Sequence, residues 1–363
     1  MLDCWVEKAD GVFILTIRED DNLKDIKCVV WDLDNTLWDG VLLEGDEICL
    51  KPGIEEILKI LDSRGILLSI ASKNNYEDAM ACLTKFGLNQ YFLCPQIGWN
   101  PKSISIASIQ KSLNIGKDTI LFIDDQAFER DEVKSVHPEV TLVDALDYGT
   151  LISMERLNPK VITVDSCRRR HMYIEEQKRQ ADEAVHQGTP AEFLASLNMV
   201  FTISKAQESD LLRAEELTLR TNQLNSTGIQ YSYDELKALL DSPNHHLWIC
   251  ELTDKYGSYG KIGLVLVEIQ KNAWVIRLLL MSCRVVSRGV GTILLSCLMK
   301  EAKAEGKVLQ ADFRRTERNR QMLMTYSFAN FKEKERSGNM ILFENDLTLI
   351  QNYPPYIKVE TYI

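Results

Sequence analysis

The chain has 363 residues, 45% of them hydrophobic and 26% charged, a composition that excludes a disordered or collagen-like chain and predicts about two domains. Its 42 basic and 53 acidic residues leave a formal charge of −11, which argues against nucleic acid and anionic membranes as whole-surface partners. The nine cysteines are scattered, without a CxxC pair or a zinc-ligand spacing; no signal-peptide pattern or membrane-length apolar run occurs, and a cytoplasmic setting is expected.

Residues 1–26 read as an N-terminal extension. From Lys27 to about residue 150, short apolar runs alternate with helical patterns. Strands are predicted at Cys28–Trp31, Ile66–Ala71, Tyr91–Cys94, Thr119–Ile123 and Val140–Val143. Helices are predicted at Gly53–Ser63, Tyr76–Phe86 and Ser103–Leu113, and from Ala127. This alternation implies an α/β domain, a Rossmann-like parallel sheet covered by helices, with ligands beyond the carboxyl ends of its strands.

Residues 151–197 read as a helical connector. A polar helix capped by Asp165-Ser166 covers Arg168–Ala184, its Arg168-Arg169-Arg170 run reading as a solvated face. Thr189-Pro190-Ala191-Glu192 supplies the cap, N1 proline and acidic N3 residue of a second helix. Residues 198–363 follow as an α+β unit. Its strands fall near Val200–Ser204, Trp248–Leu252, Gly260–Ile269, Trp274–Met281, Leu309–Phe313 and Met340–Glu344, with helices at Leu211–Leu219 and from Gly291.

The most informative stretch is Val30–Trp38, where Asp32 and Asp34 stand two residues apart just after an apolar strand. Asp32 is the candidate nucleophile toward phosphorus. Asp34 is the candidate acid and base, protonating the leaving group and then activating water. An anionic nucleophile facing a phosphate needs a cation, and Asp124-Asp125 follow another strand. Mg²⁺ is therefore the expected cofactor, assigned to Asp32, Asp34 and Asp124. Ser72 and Lys102 are the expected phosphate-binding residues.

This ordered set resembles the haloacid dehalogenase superfamily, with its DxDxT loop at Asp32, Asp34 and Thr36, its serine at Ser72, its lysine at Lys102 and its acidic pair at Asp124-Asp125. Only 21 residues separate Lys102 from Asp124, too few for an inserted cap. The segment from Trp38 to Pro52 allows a small hairpin flap. An uncapped site admits a tethered or macromolecular substrate.

The second unit carries Leu278–Gly291, a strand running into a Gly-x-Gly helix start, which resembles the pyrophosphate loop of GNAT acyltransferases. Val286 replaces the usual polar residue before the first glycine, with Arg284 and Arg288 on either side. Cys283 lies at the strand end, where a thiol is either a nucleophile or a small buried apolar residue. The loop Thr221–Asn225 is rich in amides, which either bind a hydroxylated acyl group or pantetheine arm or close their own turn.

Taken together, the chain resembles the FkbH-like proteins of polyketide assembly, in which a haloacid dehalogenase domain precedes a GNAT-like one. The matching stretches are Val30–Gly45, Pro95–Lys102, Phe122–Arg130, Arg220–Gly228 and Met281–Gly291. The resemblance implies a glyceryl transferase with phosphatase activity. Such an enzyme takes 1,3-bisphosphoglycerate, removes phosphate and loads a glyceryl unit onto the phosphopantetheine thiol of an acyl carrier protein. It also implies Cys283 as the acyl-carrying thiol. Arg284, Arg288, Gly289, Gly291, Arg314 and Arg315 are the residues expected to meet the carrier and its arm. Arg314–Arg320 offers four arginines against one glutamate, a basic surface suited to an acidic carrier or equally to a solvated helix start. The alternative is a Mg²⁺-dependent phosphatase for a tethered or protein substrate, with the GNAT-like unit only binding the carrier. A catalytically silent adaptor is a third reading, against which the complete aspartate set argues.

Overall fold

The structure, a computed structural model, describes residues 4–8, 11–15, 24–221 and 223–363. The rest of the expected N-terminal extension, with the start Met1–Asp3, and Asn222 of the amide-rich loop lie outside the described residues. The chain divides into two units, Met1–Lys160 and Val161–Ile363. The segment expected as a connector is thus split, 151–160 going to the first unit and 161–197 to the second.

In the first unit, β1 (Cys4–Lys8) and β2 (Gly11–Leu15) form an antiparallel hairpin. β3 (Cys28–Trp31) is buried along its whole length, because it is the central strand of a five-stranded parallel sheet covered on both faces. A hairpin follows, β4 (Trp38–Asp39) against β5 (Cys49–Leu50), at the place expected for a flap. α1 (Ile54–Ser63) buries Ile54, Ile57, Leu58 and Leu61, the one-sided stripe that its sequence spacing dictates. The remaining elements are β6 (Leu67–Ser72), α2 (Tyr76–Lys85), β7 (Gln96–Ile97), α3 (Lys102–Leu113), β8 (Ile120–Asp124), α4 (Ala127–Val136) and β9 (Thr141–Asp144). The sheet order is β7-β6-β3-β8-β9. Trp31 stands opposite both Ile70 and Ile123, so Asp32, Ser72 and Asp124 emerge at one edge.

The expected strand at Tyr91–Cys94 does not form. Phe92 makes a single bridge to Leu68, Cys94 takes a left-handed φ of 49°, and Pro95 has no N–H to donate. The ladder resumes only at Gln96.

The second unit opens with α5 (Val164–Cys167), α6 (Arg169–Val185) and α7 (Pro190–Ser196). The first cap sits earlier than expected, at Thr163, which exchanges hydrogen bonds with Ser166; Asp165 is used elsewhere, by Arg213. Thr189 and Glu192 form the expected capping box. The Arg168–Arg170 run is not one solvated face. Arg168 is exposed, but Arg169 pairs with Glu216 and Arg170 is buried.

Then come β10 (Met199–Lys205), α8 (Leu211–Arg220), α9 (Tyr233–Leu240), β11 (His245–Asp254), β12 (Gly257–Ile269), β13 (Ala273–Met281) and α10 (Val290–Ala304). β14 (Val308–Arg314), α11 (Arg320–Phe328), β15 (Lys332–Ser337), β16 (Met340–Asn345) and β17 (Ile357–Tyr362) complete the unit. Its eight-stranded sheet has the order β15-β16-β14-β13-β12-β11-β10-β17. One face packs on Ile293, Leu294 and Leu298 of α10, the other on Leu211, Leu217 and Leu236 of α8 and α9. β13 and β14 pair only over Ala273–Ile276 and Val308–Ala311. Beyond that the chain's own segment Leu224–Ser226 bonds to both: Met281 N–H donates to Leu224 O, Ser226 N–H to Leu279 O and Arg314 N–H to Ser226 O, each at 2.9 Å. No described helix is long and apolar enough to cross a membrane.

Candidate active site

Asp32 is the first residue beyond β3, and its N–H still donates to Ile123 O at 3.0 Å, so the strand ladder fixes its backbone. Lys102 opens α3 behind Pro101. A cation at a helix N-terminus opposes the helix dipole, and this one is only 3% exposed. Acceptors hold it there. Its ammonium donates to Asp32 Oδ1 at 2.5 Å, Ala71 O at 2.8 Å and Asp124 Oδ2 at 2.9 Å, using all three protons. Burial pushes its pKa down, but the two carboxylates outweigh burial and the net shift is upward.

Asp124 ends β8 and is 1% exposed. Burial, then the charge of Asp32, pushes its carboxyl up to about 6, and the same two causes raise that of Asp125. Oxygens of Asp32, Asp124 and Asp125 lie within 4.8 Å of one another. Three carboxylates against one ammonium leave a charge that a divalent cation matches. Asp125 Oδ1 is buried without a hydrogen-bond partner among the described residues, an acceptor whose desolvation is uncompensated by the chain itself. These hard oxygen donors fit Mg²⁺, which takes few protein carboxylates and keeps room for water and a phosphate oxygen.

Asp34, expected among the metal ligands, is outside this group. Its Oδ1 accepts from the Trp38 indole at 2.8 Å and from Leu42 N at 3.3 Å, and its Oδ2 from the Asn74 amide at 3.0 Å. Both oxygens are thereby committed to the flap and to the turn after β6. Burial raises the Asp34 pKa against these three bonds, with a net upward shift that suits a proton donor. Asn35 turns the loop with a φ of 54°, a conformation asparagine tolerates. The buried Thr36 hydroxyl accepts from Asp125 N at 3.1 Å, joining the DxDxT turn to the acidic pair. Ser72, also buried, ends β6 one residue after the carbonyl that Lys102 grips. Asp32, Ser72, Lys102 and Asp124 thus meet at one sheet edge. Sequence reasoning missed Asn74 as the residue that holds Asp34, and took Asp125 only as part of a motif.

In the second unit Cys283 is half-buried and opens a 3₁₀ turn, Cys283–Arg288, after β13. Arg284 and Arg288, expected on the pantetheine phosphate, are engaged within the unit. Arg284 donates to Tyr259 O at 3.0 Å and to Ser282 Oγ at 3.4 Å. Arg288, 1% exposed, faces Glu176 and Glu183 of α6 at 3.4 and 3.7 Å. The carboxylates of α6 therefore take the place expected for phosphate at Arg288. Gly289 caps α10 with a φ of 76°, a backbone role, and Gly291 sits against the side chain of Met281, whose Cε would lie 2.7 Å from a Cβ there. Arg314 and Arg315 are exposed, as are Arg318 and Arg320, and none has an ion pair among the described residues. In the amide-rich loop, Asn225 closes its own turn. Its Oδ1 accepts from Thr227 N at 3.1 Å and Gly228 N at 2.8 Å, and it is fully buried.

Residues 38–135 match the family profile described as haloacid dehalogenase-like hydrolase; the match begins just after Asp34. No curated protein matches the chain. Among solved structures, the N-terminal part of a Bacteroides fragilis protein, containing a phosphatase domain complexed with Mg, is 33% identical, with a TM-score of 0.33. That alignment covers 37% of this chain and 40% of the other, so the chain spans well under half of that relative's length. The ribosomal-protein-S18-alanine N-acetyltransferase of Escherichia coli is 14% identical over 41% of this chain and 95% of its own, with a TM-score of 0.33. A haloacid dehalogenase-superfamily hydrolase from Geobacter sulfurreducens is 16% identical over 33% of this chain and 89% of its own, with a TM-score of 0.29.

Proposed function

We propose that the first unit is a phosphohydrolase with Asp32 as nucleophile, and that the second unit handles the acyl part of the same substrate. The observation that carries the phosphohydrolase reading is the buried Lys102 ammonium shared by Asp32 and Asp124, beside the uncommitted oxygen of Asp125. Asp32 Oδ attacks phosphorus and the bond to the leaving oxygen breaks. Asp34 gives that oxygen its proton, then takes one from the water that hydrolyses the aspartyl phosphate. Lys102 holds Asp32 oriented and balances phosphoryl charge. Asp32, Asp124 and Asp125 would hold Mg²⁺, which when bound offsets the charge of phosphate oxygens facing an anionic nucleophile.

The finer reading follows the sequence resemblance. The substrate is 1,3-bisphosphoglycerate, Cys283 carries the glyceryl group as a thioester, and the acceptor is the phosphopantetheine thiol of an acyl carrier protein. The thiolate attacks the acyl-phosphate carbonyl, a carbon–sulfur bond forms and phosphate leaves, so no further activation is needed. The exposed Arg314, Arg315, Arg318 and Arg320 support docking of an acidic carrier. One observation favours a second reading, a phosphatase whose second unit only binds the carrier: Leu224–Ser226 already bonds to β13 and β14 where those strands part.

The test is to incubate the protein with Mg²⁺, 1,3-bisphosphoglycerate and a phosphopantetheinylated carrier, then measure phosphate and intact carrier mass. A glyceryl adduct on the carrier, lost together with any protein-bound adduct in Cys283→Ala, is the expected result. Phosphate release without an adduct on any cognate carrier selects the second reading.

A further inference from the structure

The turn after β6 runs Ser72-Lys73-Asn74, and both neighbours of Lys73 belong to the site. Ser72 ends the strand, and the Asn74 amide donates to Asp34 Oδ2 at 3.0 Å. Lys73 stands between them with its side chain 39% exposed, and its ammonium donates to Glu129 Oε1 at 2.6 Å. Glu129 lies in the first turn of α4, and its own side chain is buried.

This ion pair joins the two turns that carry the site. In the sheet β3 lies between β6 and β8, so a bond from the end of β6 to the helix after β8 spans the edge where Asp32 emerges. The other cations here are already engaged. Lys102 has given all three protons to Asp32, Ala71 and Asp124, and Arg130 is held by Asp124 O and Asp144. Lys73 has given one proton to Glu129, its one hydrogen-bond partner among the described residues, and two remain for a ligand. A free lysine keeps its rotamer freedom. Glu129, a carboxylate favoured at a helix N-terminus, removes that freedom and fixes where the charge stands.

The leaving group comes away at this place. Asp32 attacks phosphorus from one side, and Asp34 protonates the oxygen that departs on the other. Asp34 is held by Asn74, so the departing part of the substrate lies beside the turn that carries Lys73. A neutral leaving group draws nothing from an ammonium there, whereas a carboxylate or a second phosphate gains charge-assisted hydrogen bonds from it.

We propose that Lys73, anchored by Glu129, selects substrates whose leaving group is itself anionic, binding a carboxylate or second phosphate on the part of the molecule that departs. Lys73 makes and breaks no covalent bond; it holds the substrate, and Glu129 is its positioning residue. The proposal rests on the phosphohydrolase reading for the direction of the leaving group, while the bond to Glu129 gives the place of the ammonium.

The experiment compares three phosphate esters on the full chain with Mg²⁺. In 3-phosphoglycerate the leaving group carries a carboxylate, in propane-1,3-diol bisphosphate a second phosphate, and in glycerol 3-phosphate no charge. Each is read as kcat/KM for phosphate release in the parent and as calorimetric affinity in Asp32→Asn. The parent is expected to favour at least one anionic ester over glycerol 3-phosphate by about tenfold or more, and Lys73→Met to erase that preference. Which anionic ester is favoured tells carboxylate from phosphate. Lys73→Arg keeps the charge and is expected to retain part of the preference. Because Lys73→Met leaves the buried Glu129 unpaired, Lys73→Met/Glu129→Gln repeats the comparison without a stranded charge, and circular dichroism melts establish that each variant is folded. A strut that merely tied the two turns together would move all three esters alike. That result, a preference that survives in folded Lys73→Met/Glu129→Gln, or a parent without preference overturns the proposal. Failure of the parent to release phosphate from any ester overturns the phosphohydrolase reading alone, and the affinities in Asp32→Asn still decide for or against Lys73.

Discussion

The two units solve opposite electrostatic problems. At the edge of the first sheet, Asp32, Asp124 and Asp125 surround one ammonium, leaving a site two charges negative. In the second unit, Arg169 and Arg213 enclose the buried carboxylate of Glu216, and Arg213 also pairs with Asp165. The first suits a divalent cation, whereas in the second the buried carboxylate is met by arginines of its own chain. A cluster recessed from water with charge of one sign left over is unfavourable in the free chain, so the sign and size of the residue indicate what it binds.

The sharpest way to break this comparison is at the nucleophile. Asp32→Asn is expected to cut Mg²⁺-dependent phosphate release by about three orders of magnitude or more, since the attacking oxygen is lost. A colorimetric phosphate assay reads this directly, and activity within a few fold of the parent would remove Asp32 from its role. Next comes Lys102→Met. Removing the ammonium makes the cluster one charge more negative, so phosphate turnover is expected to fall by about a hundredfold while divalent-cation affinity rises. A fall in both would mean that Lys102 serves chiefly to keep the site folded.

The second cluster is tested by acid. Burial works against the Glu216 carboxylate, but Arg213 and Arg169 prevail and its pKa falls from 4.5 to about 2. A carboxyl more acidic folded than unfolded adds stability that is fully present above the unfolded value and lost as pH drops through the folded one. The second unit is therefore expected to lose on the order of 3 kcal/mol between pH 4.5 and 2 through this group. Hydrogen exchange of α8 peptides across that range checks it. Glu216→Gln is expected to remove the pH dependence in this window and to destabilise α8 at neutral pH by about 3–5 kcal/mol, because it strands two guanidinium groups.

The two clusters also differ in how far the sequence reveals them. A parallel strand places its next residue by ladder geometry, so an apolar run followed by Asp32, Ser72 or Asp124 already says which side chains share an edge. That logic does not reach side chains whose partners come from loops. Asp34 was legible as an acid, but its capture by Trp38 and Asn74 depends on how the flap closes. The arginine cluster was illegible for a deeper reason: its members come from α6, α8 and the turn after β13. On each helix alone, an arginine in a polar run looks the same whether it faces water or a buried glutamate. The loop at Asn225 read equally as a binding or a self-closing turn, and only tertiary pairing with β13 and β14 decides between them.

The smallest expected effect probes the link inside the first cluster. Thr36 is fully buried, and its hydroxyl accepts from the Asp125 N–H at 3.1 Å, tying the nucleophile's turn to the third carboxylate. Thr36→Val keeps the shape and removes the acceptor, leaving a buried N–H unpaired at a cost of about 1–3 kcal/mol. The carboxylate of Asp125 then loses its fixed backbone, and Mg²⁺ affinity is expected to weaken by about tenfold, as for other groups that orient metal ligands. Thr36→Ser keeps the acceptor and should restore the affinity even where it leaves a methyl-sized gap. If Val and Ser weaken Mg²⁺ equally, packing rather than the hydrogen bond positions Asp125, and the acidic site is held by its sheet alone.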